Sequence, residues 1–421
     1  MFENHKEGTM LPFLKSSLVA ALSSCLFIPM TYANTEINQK IDALYKEIDQ
    51  LKAMVAQQNA QLQQTQNTTA TLVANTEKAD QVNAKARSKG GAEVTLYGFV
   101  RADAAYQLEG GNGIFNRINN VPLEGDANKK QTENRFDSTL TSSRIGMDLK
   151  TKLADKDINA KVEVDFRGGD KNDTIRIRHA YLAWDNWLVG QTTSSFLSTE
   201  TLPELLDFNG VLGGGVYRTP MVRYSHALSP DTQFLVGIEK SSDTNEFPAL
   251  TAKVSQKLAN NKLLINGRVL AQEVRNRSQQ KDLNEFGWGV AAGLQYQPAN
   301  NVTVNANYSH VVGDDKYFLY NATNSYIQNN DLKLVEFDAV SAGLTYRINP
   351  KLRSSLGYGA LFYDENATTG NESLQQAWLN LIYNPFKPVT FGMEYIYGER
   401  ETMDNKKGKD SRLEFMAKYD F

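Results

Sequence analysis

From Glu93 to Phe421 apolar and polar side chains alternate with a period of two, and this one feature decides what the chain can fold into. Over 411–421, Leu413, Phe415, Ala417, Tyr419 and Phe421 fall on one face, and Arg412, Glu414, Met416, Lys418 and Asp420 on the other. Phe286, Trp288, Val290, Ala292, Leu294 and Tyr296 repeat the pattern, as do Val340, Ala342, Leu344, Tyr346 and Ile348. Sixteen such segments can be placed: 94–107, 138–153, 157–168, 174–184, 186–191, 219–228, 231–240, 249–258, 262–273, 283–297, 301–312, 335–348, 351–363, 373–384, 388–399 and 411–421. No stretch after residue 33 is long and apolar enough for a transmembrane helix, so a helical membrane bundle is excluded.

The connections alternate in length. Seven are tight, centred on Asp155-Lys156, Asp185, Pro230, Asn260-Asn261, Ala299-Asn300, Asn349-Pro350 and Pro385-Phe386; eight others lie between them, with 108–137, 192–218 and 313–334 the long ones. Short turns on one rim and long loops on the other are the habit of outer-membrane barrels, and an even strand count leaves both ends on the short-turn, periplasmic side. Trp184, Trp187, Tyr296, Tyr346, Tyr383, Phe386, Tyr419 and Phe421 gather beside the tight turns, as an interfacial girdle would. A soluble β-sandwich or propeller would also alternate, but it would enclose its apolar face and keep ladders of charge out of its interior. In lipid an open sheet edge leaves backbone groups with no water to pair with, so the sheet must close, and sixteen strands leave an aqueous lumen.

The expected fold class is therefore all-β: a 16-stranded antiparallel transmembrane β-barrel over 92–421, preceded by an N-terminal α-helical coiled coil. Lys15, the apolar stretch Leu18 to Met30 and Thr31-Tyr32-Ala33 read as a signal peptide spanning 1–33. Leu22-Ser23-Ser24-Cys25 also fits a lipoprotein box, but the apolar run continues past it through Leu26-Phe27-Ile28. Cys25 is the chain's one cysteine, so the exported part would hold no disulfide, thiolate metal site or cysteine nucleophile. Across 34–91, Ile37, Ile41, Leu44, Ile48, Leu51 and Val55 form an a/d seam that decays into a linker, and Glu47 can pair with Lys52 of a parallel neighbour. The seam implies self-association. A helix tethered to a larger assembly takes its stoichiometry from that assembly, so two and three strands both stay open.

The ending Tyr419-Asp420-Phe421 resembles the terminal aromatic signal read by the barrel-assembly machinery, and Val94-Thr95-Leu96-Tyr97-Gly98-Phe99 resembles a porin first strand. Joined to a signal peptide and a heptad segment, they make the whole mature chain similar to the DcaP-like family of trimeric porins. The resemblance implies a homotrimer in the outer membrane, among lipids and lipopolysaccharide, through which small anionic solutes such as dicarboxylates diffuse. Sucrose porins also carry a coiled coil ahead of the barrel, which keeps a sugar channel as the alternative; a barrel-anchored tether gripping peptidoglycan is another.

Strand parity identifies the lumen residues. With Leu96, Gly98, Val100 and Ala102 outward, Arg101 and Asp103 face in; the same rule turns Arg144, Arg167, Arg176, Arg178 and Arg223 inward. Six permanent, fork-shaped cations along one wall suit recognition of carboxylates. Asp103, Asp148, Glu163 and Asp165 share those faces and would neutralise part of the charge. The chain's 45 Lys+Arg against 48 Asp+Glu mean that any anion preference must come from arrangement. The net charge of −3 argues for no nucleic-acid partner. A sugar channel needs a file of lumen aromatics; Tyr97, Phe99, Tyr363 and Trp378 have the parity but sit on scattered strands. The 192–218 connection resembles a porin constriction loop: Ser194, Ser195, Ser198, Thr199, Glu200 and Thr201 offer polar contacts, Phe196, Leu197, Leu202, Leu205 and Leu206 apolar anchors, and Gly213-Gly214-Gly215 a sharp return.

Enzymatic chemistry has little to draw on. The histidines past the signal peptide are His179, His226 and His310; Ser225-His226 lies near Asp231, but adjacent strand residues face opposite ways. Asp314-Asp315 and Asp364-Glu365 read as solvated loop acids rather than a calcium site, and neither a phosphate-cradling glycine motif nor zinc spacing occurs. No catalytic residue, metal or cofactor is expected.

Overall fold

The tight turns form because their residues tolerate the left-handed backbone that a short hairpin demands. Ala154 and Asp155 both take positive φ, as do Asp185, Asn260 and Asn261. The strands they join are β1 (Glu93–Glu109), β2 (Arg135–Thr139 and Arg144–Leu153), β3 (Lys156–Gly168), β4 (Thr174–Trp184), β5 (Trp187–Thr193), β6 (Arg218–Ser229), β7 (Thr232–Glu239) and β8 (Ala249–Leu258). The second half comprises β9 (Leu263–Arg277), β10 (Asp282–Ala299), β11 (Val302–Val312), β12 (Glu336–Asn349), β13 (Leu352–Glu365), β14 (Asn371–Tyr383), β15 (Val389–Thr402) and β16 (Lys407–Asp420). The computed structural model describes residues 46, 86–88, 90–277, 281–319 and 325–421. The expected signal peptide lies outside the described residues, and so does the expected heptad segment except Lys46, which is helical. At the end of the expected linker, Ala86–Arg87 pairs antiparallel with Glu93 and Val94.

Each strand pairs antiparallel with the next, and β16 pairs with β1 from Phe99↔Asp420 to Gln107↔Arg412, so the sheet closes as a sixteen-stranded barrel. Phe421 completes the seam: its N–H donates to the Gly98 carbonyl and its carbonyl accepts from the Gly98 N–H, both at 3.0 Å. β2 is one barrel strand in two halves. Both pair with β1, and the chain leaves the ladder between Leu140 and Ser143. Outward residues are apolar and uncovered, among them Leu96, Val100, Ile145, Ile175 and Val189, and all eight girdle aromatics beside the short turns are exposed as well. Among the described residues no helix is long and apolar enough to cross a membrane.

Sixteen strands spaced 4.8 Å apart and tilted about 40° enclose a ring about 32 Å across, too wide for wall side chains to fill. Loops fill much of it. The 194–217 connection turns inward, and its Phe196, Leu197 and Leu212 pack with Ile118 and Val121 of the first long connection and with Tyr317, Phe318 and Leu319 of the 313–335 connection. They meet inward residues Leu270, Val311, Phe337, Leu361 and Leu374 of β9 and β11–β14. Burying such a side chain contributes about 1.5–3 kcal/mol, which offsets the roughly 1–2 kcal/mol per residue lost on ordering a loop. Parity cannot reveal this, because loop residues carry no period. Asp314 and Asp315, expected as solvated acids, are accordingly 3% and 1% exposed; Asp314 pairs with Lys316 at 3.0 Å and Asp315 accepts from the Tyr363 hydroxyl at 2.9 Å.

Candidate functional site

The register of β1–β4 sets charges side by side. One row across the sheet runs Phe99, Arg144, Asp165, Arg176, and inward neighbours two residues away add Arg101, Glu163 and Arg178. Arg176 grips Asp165 with two bonds of 2.9 and 2.7 Å. Arg178 bridges Glu163 and Asp165 at 2.8 Å each. Arg101 donates from Nε to Asp103 and from Nη2 to the Leu206 carbonyl, both at 2.7 Å. Arg144 reaches Glu163 only at 3.4 Å, and its buried Nε has no hydrogen-bond partner. Arg167 makes no ion pair among the described residues; its Nη1 donates to Thr141 Oγ1 at 3.3 Å.

The break in β2 holds this wall in place. Freed from the ladder, the Ser142 hydroxyl donates to Asp103, Ser143 Oγ accepts from the Arg101 N–H at 3.0 Å, and Thr141 faces Arg167.

Opposite the wall runs the inward loop. The predicted Ser194, Ser195, Ser198 and Glu200 lie where it attaches to β6–β9. Ser194 N–H donates to the Tyr217 carbonyl at 3.0 Å, Ser195 N–H to Glu239 at 2.7 Å, Ser198 Oγ accepts from Asn266 at 3.0 Å, and Glu200 pairs with Lys253 at 3.0 Å. Further along, Glu204 takes a bidentate grip from Arg353 on β13, with contacts of 2.8–2.9 Å, and its carbonyl accepts from Trp378 Nε1 at 2.9 Å. Glu394 on β15 then accepts the backbone N–H groups of Leu206 and Asp207, each at 2.9 Å. The buried Arg412 on β16 pairs with Asp207, Asp410 and Glu414. Gly213 returns the chain at φ +74°, where a Cβ would lie 2.0 Å from the Val340 carbonyl oxygen.

Between loop and wall lies a cavity of about 370 Å³. Arg101, Arg144, Arg167, Arg176 and Arg178 line it, whereas Arg223 on β6 and the four predicted loop residues do not. Four further cations join: Arg117 from the first long connection, Arg218, Arg353 and Lys418; the acids on the lining are Glu204 and Asp207. Arg353 and Lys418 have the parity of inward residues and were legible in principle, whereas Arg218 opens β6 on its outward parity. Arg117, Asp207 and Phe208 belong to loops and gave no periodic signal. Of the lumen-parity aromatics, Tyr363 and Trp378 are buried beneath the inward loops, Tyr97 bonds Glu163 at 2.9 Å, and Phe99 stacks on Arg144 with 5.0 Å to its ring centre.

A closed sixteen-stranded barrel with an apolar outer belt, aromatic rims and a polar cavity narrowed by an inward loop defines an outer-membrane porin channel. The profile of the DcaP outer membrane protein family matches residues 30–421, and the chain belongs to that family. It is 41% identical to the outer membrane channel DcaP of Acinetobacter baumannii, with a TM-score of 0.74 over 80% of this chain and 99% of that one. The trimer form of OmpT of Vibrio cholerae shares the fold at 15% identity and a TM-score of 0.52, over 78% of this chain and 99% of that one. So does an anion-selective porin from Comamonas acidovorans, at 11% identity and a TM-score of 0.53, over 78% of this chain and all of that one, 100%. No curated protein sequence matches.

Proposed function

We propose that this porin passes small hydrophilic solutes by passive diffusion and prefers small anions, dicarboxylates among them, through the arginine-lined cavity. The observation that carries the reading is an imbalance: Arg101, Arg144, Arg167, Arg176 and Arg178 share three carboxylates, Asp103, Glu163 and Asp165, while the lining acids Glu204 and Asp207 are taken by Arg353 and Arg412. Arg144 and Arg167 are left under-compensated at the lumen surface. A guanidinium cannot discharge by losing its proton, so its remaining donors attract an anion. Paired arginines contribute less field but keep a fixed, planar geometry.

The working assembly in this reading is a homotrimer in the outer membrane, with the N-terminal segment on the periplasmic side. The 41%-identical relative is an outer membrane channel, which supports transport rather than catalysis. The test is the reversal potential of the purified protein in a planar bilayer under a potassium chloride gradient. We expect the sign of chloride preference and conductance in steps of three. Cation preference with the same steps would remove the anion reading and send the question to sugars; a folded protein without conductance would favour the tether.

A further inference from the structure

Phe208, at the tip of the inward loop, stands among the arginines that line the cavity. The guanidinium carbons of Arg101, Arg144, Arg167 and Arg178 lie 5.5, 6.0, 6.0 and 5.7 Å from its ring centre. Those four side chains come from β1, β2, β3 and β4, so one ring touches the whole wall. A second ring, Phe115 of the first long connection, lies 5.9 Å from Phe208 and 4.8 Å from the Arg167 guanidinium. The backbone beneath Phe208 is pinned on both sides. Glu394 holds the two preceding N–H groups, the Asn209 N–H donates to Asp207 Oδ1 at 2.7 Å, and the Asn209 amide donates to the Phe115 carbonyl at 2.9 Å. The ring is half-buried and borders open cavity, so it can move about its own side-chain torsions while the loop stays put.

Resting on the anion-porin reading, we propose that Phe208 is a specificity-determining residue: a displaceable ring that occupies the space among four guanidiniums and yields it to a solute bearing an anionic group. The negative face of the ring attracts cations and covers them from water, but it offers no hydrogen-bond acceptor to satisfy their N–H donors. A carboxylate offers two acceptor oxygens and paired charge-assisted bonds, so it displaces the ring with a net gain. Sugar hydroxyls also accept from guanidiniums, but they bring no opposite charge and no planar pair of oxygens, so for a sugar the lost ring contacts are not recovered. Discrimination between charged and neutral solutes thus comes from what the solute must displace, in addition to the long-range field.

The experiment compares liposome swelling by gluconate and by sorbitol, an anion and a neutral polyol of similar size, for wild type, Phe208→Leu, Phe208→Tyr and Phe208→Ala, with heat-modifiable gel migration as the folding control. Leucine keeps apolar bulk and lacks the ring; we expect its gluconate-to-sorbitol ratio to fall about three- to tenfold. Tyrosine keeps the ring and should keep the ratio, while alanine should lower the ratio and raise conductance. A Phe208→Leu ratio equal to that of wild type would overturn the proposal and leave Phe208 as a spacer. Wild-type protein with no gluconate preference would instead overturn the anion reading, and this inference with it.

Discussion

At the scale of single residues, the wall of β1–β4 separates arginines that serve the structure from those with donors to spare. Arg176 and Arg178 are tied to Asp165 and Glu163 by four short bonds, so replacing either weakens a shared ion-pair network as well as removing a charge. Arg167 has no such partner, so Arg167→Ala removes one positive charge and frees no negative one. A unit charge 10 Å from a permeating anion contributes about 1.7 kcal/mol at an effective dielectric near 20, and about 0.6 kcal/mol after screening in 0.1 M salt. Arg167→Ala should therefore lower anion permeability and raise cation permeability about threefold each, an anion-over-cation ratio lowered about eightfold. Arg176→Ala should lower the ratio too, because one positive charge is lost while Asp165, then held by Arg178 alone, keeps its negative charge. Reversal potentials in 0.1 M potassium chloride measure both, and an unchanged ratio in Arg167→Ala would show that Arg167 does not face permeating ions.

At the scale of elements, the inward loop is held by its own polar residues and, just before Phe208, by one carboxylate of the barrel wall. Glu394 is buried and accepts from the Leu206 and Asp207 N–H groups and from Asn380, each at 2.9 Å. Glu394→Ala strands two buried backbone donors at about 1–3 kcal/mol each, enough to release the segment before Phe208 while the barrel ladders stay intact. Larger, noisier single-channel currents with an unchanged thermal unfolding temperature are the expected result; quiet wild-type currents would show that the apolar anchors hold the loop alone. The latch also marks where sequence reading stops. Alternation placed all sixteen strands, and parity turned Arg101, Arg144, Arg167, Arg176 and Arg178 inward, because a strand residue's direction follows from its neighbours. The partners of the loop do not follow from neighbours. Asp207 meets Arg412 across 205 positions, and Phe115 meets Phe208 from a connection that reads as an external loop. Ser194, Ser195, Ser198 and Glu200 were legible as polar contacts of an inward loop, yet which wall they bond depends on how far the loop travels before it turns, and apolar packing rather than local pattern fixes that.

At the scale of the molecule, closure and filling divide the work. Ladder hydrogen bonds and the Phe421–Gly98 pair make a barrel without edges, as lipid requires, and that barrel alone would be an unselective hole. Three inward connections fill the side of the lumen bounded by β9 and β11–β14 with apolar packing, so the cavity is pressed against the basic wall of β1–β4. The molecule as a whole carries a net charge of −3, and the proposed preference for anions depends on that asymmetric filling, which brings solutes within reach of one wall's field. A field of this kind is sensitive to salt. The screening length falls from about 10 Å at 0.1 M to about 3 Å at 1 M, so an interaction acting across 10 Å of wet lumen shrinks to less than a tenth of its value in 0.1 M salt. Chloride-over-potassium selectivity should decline steadily between those concentrations toward the ratio of free diffusion. The ring displacement assigned to Phe208 acts at contact and is screened much less, so the gluconate-to-sorbitol ratio should survive in 1 M salt at a reduced level. Were both ratios to collapse together, the cavity would discriminate by its field alone; were neither to change, contact binding along the whole wall would replace the field as the source of selectivity.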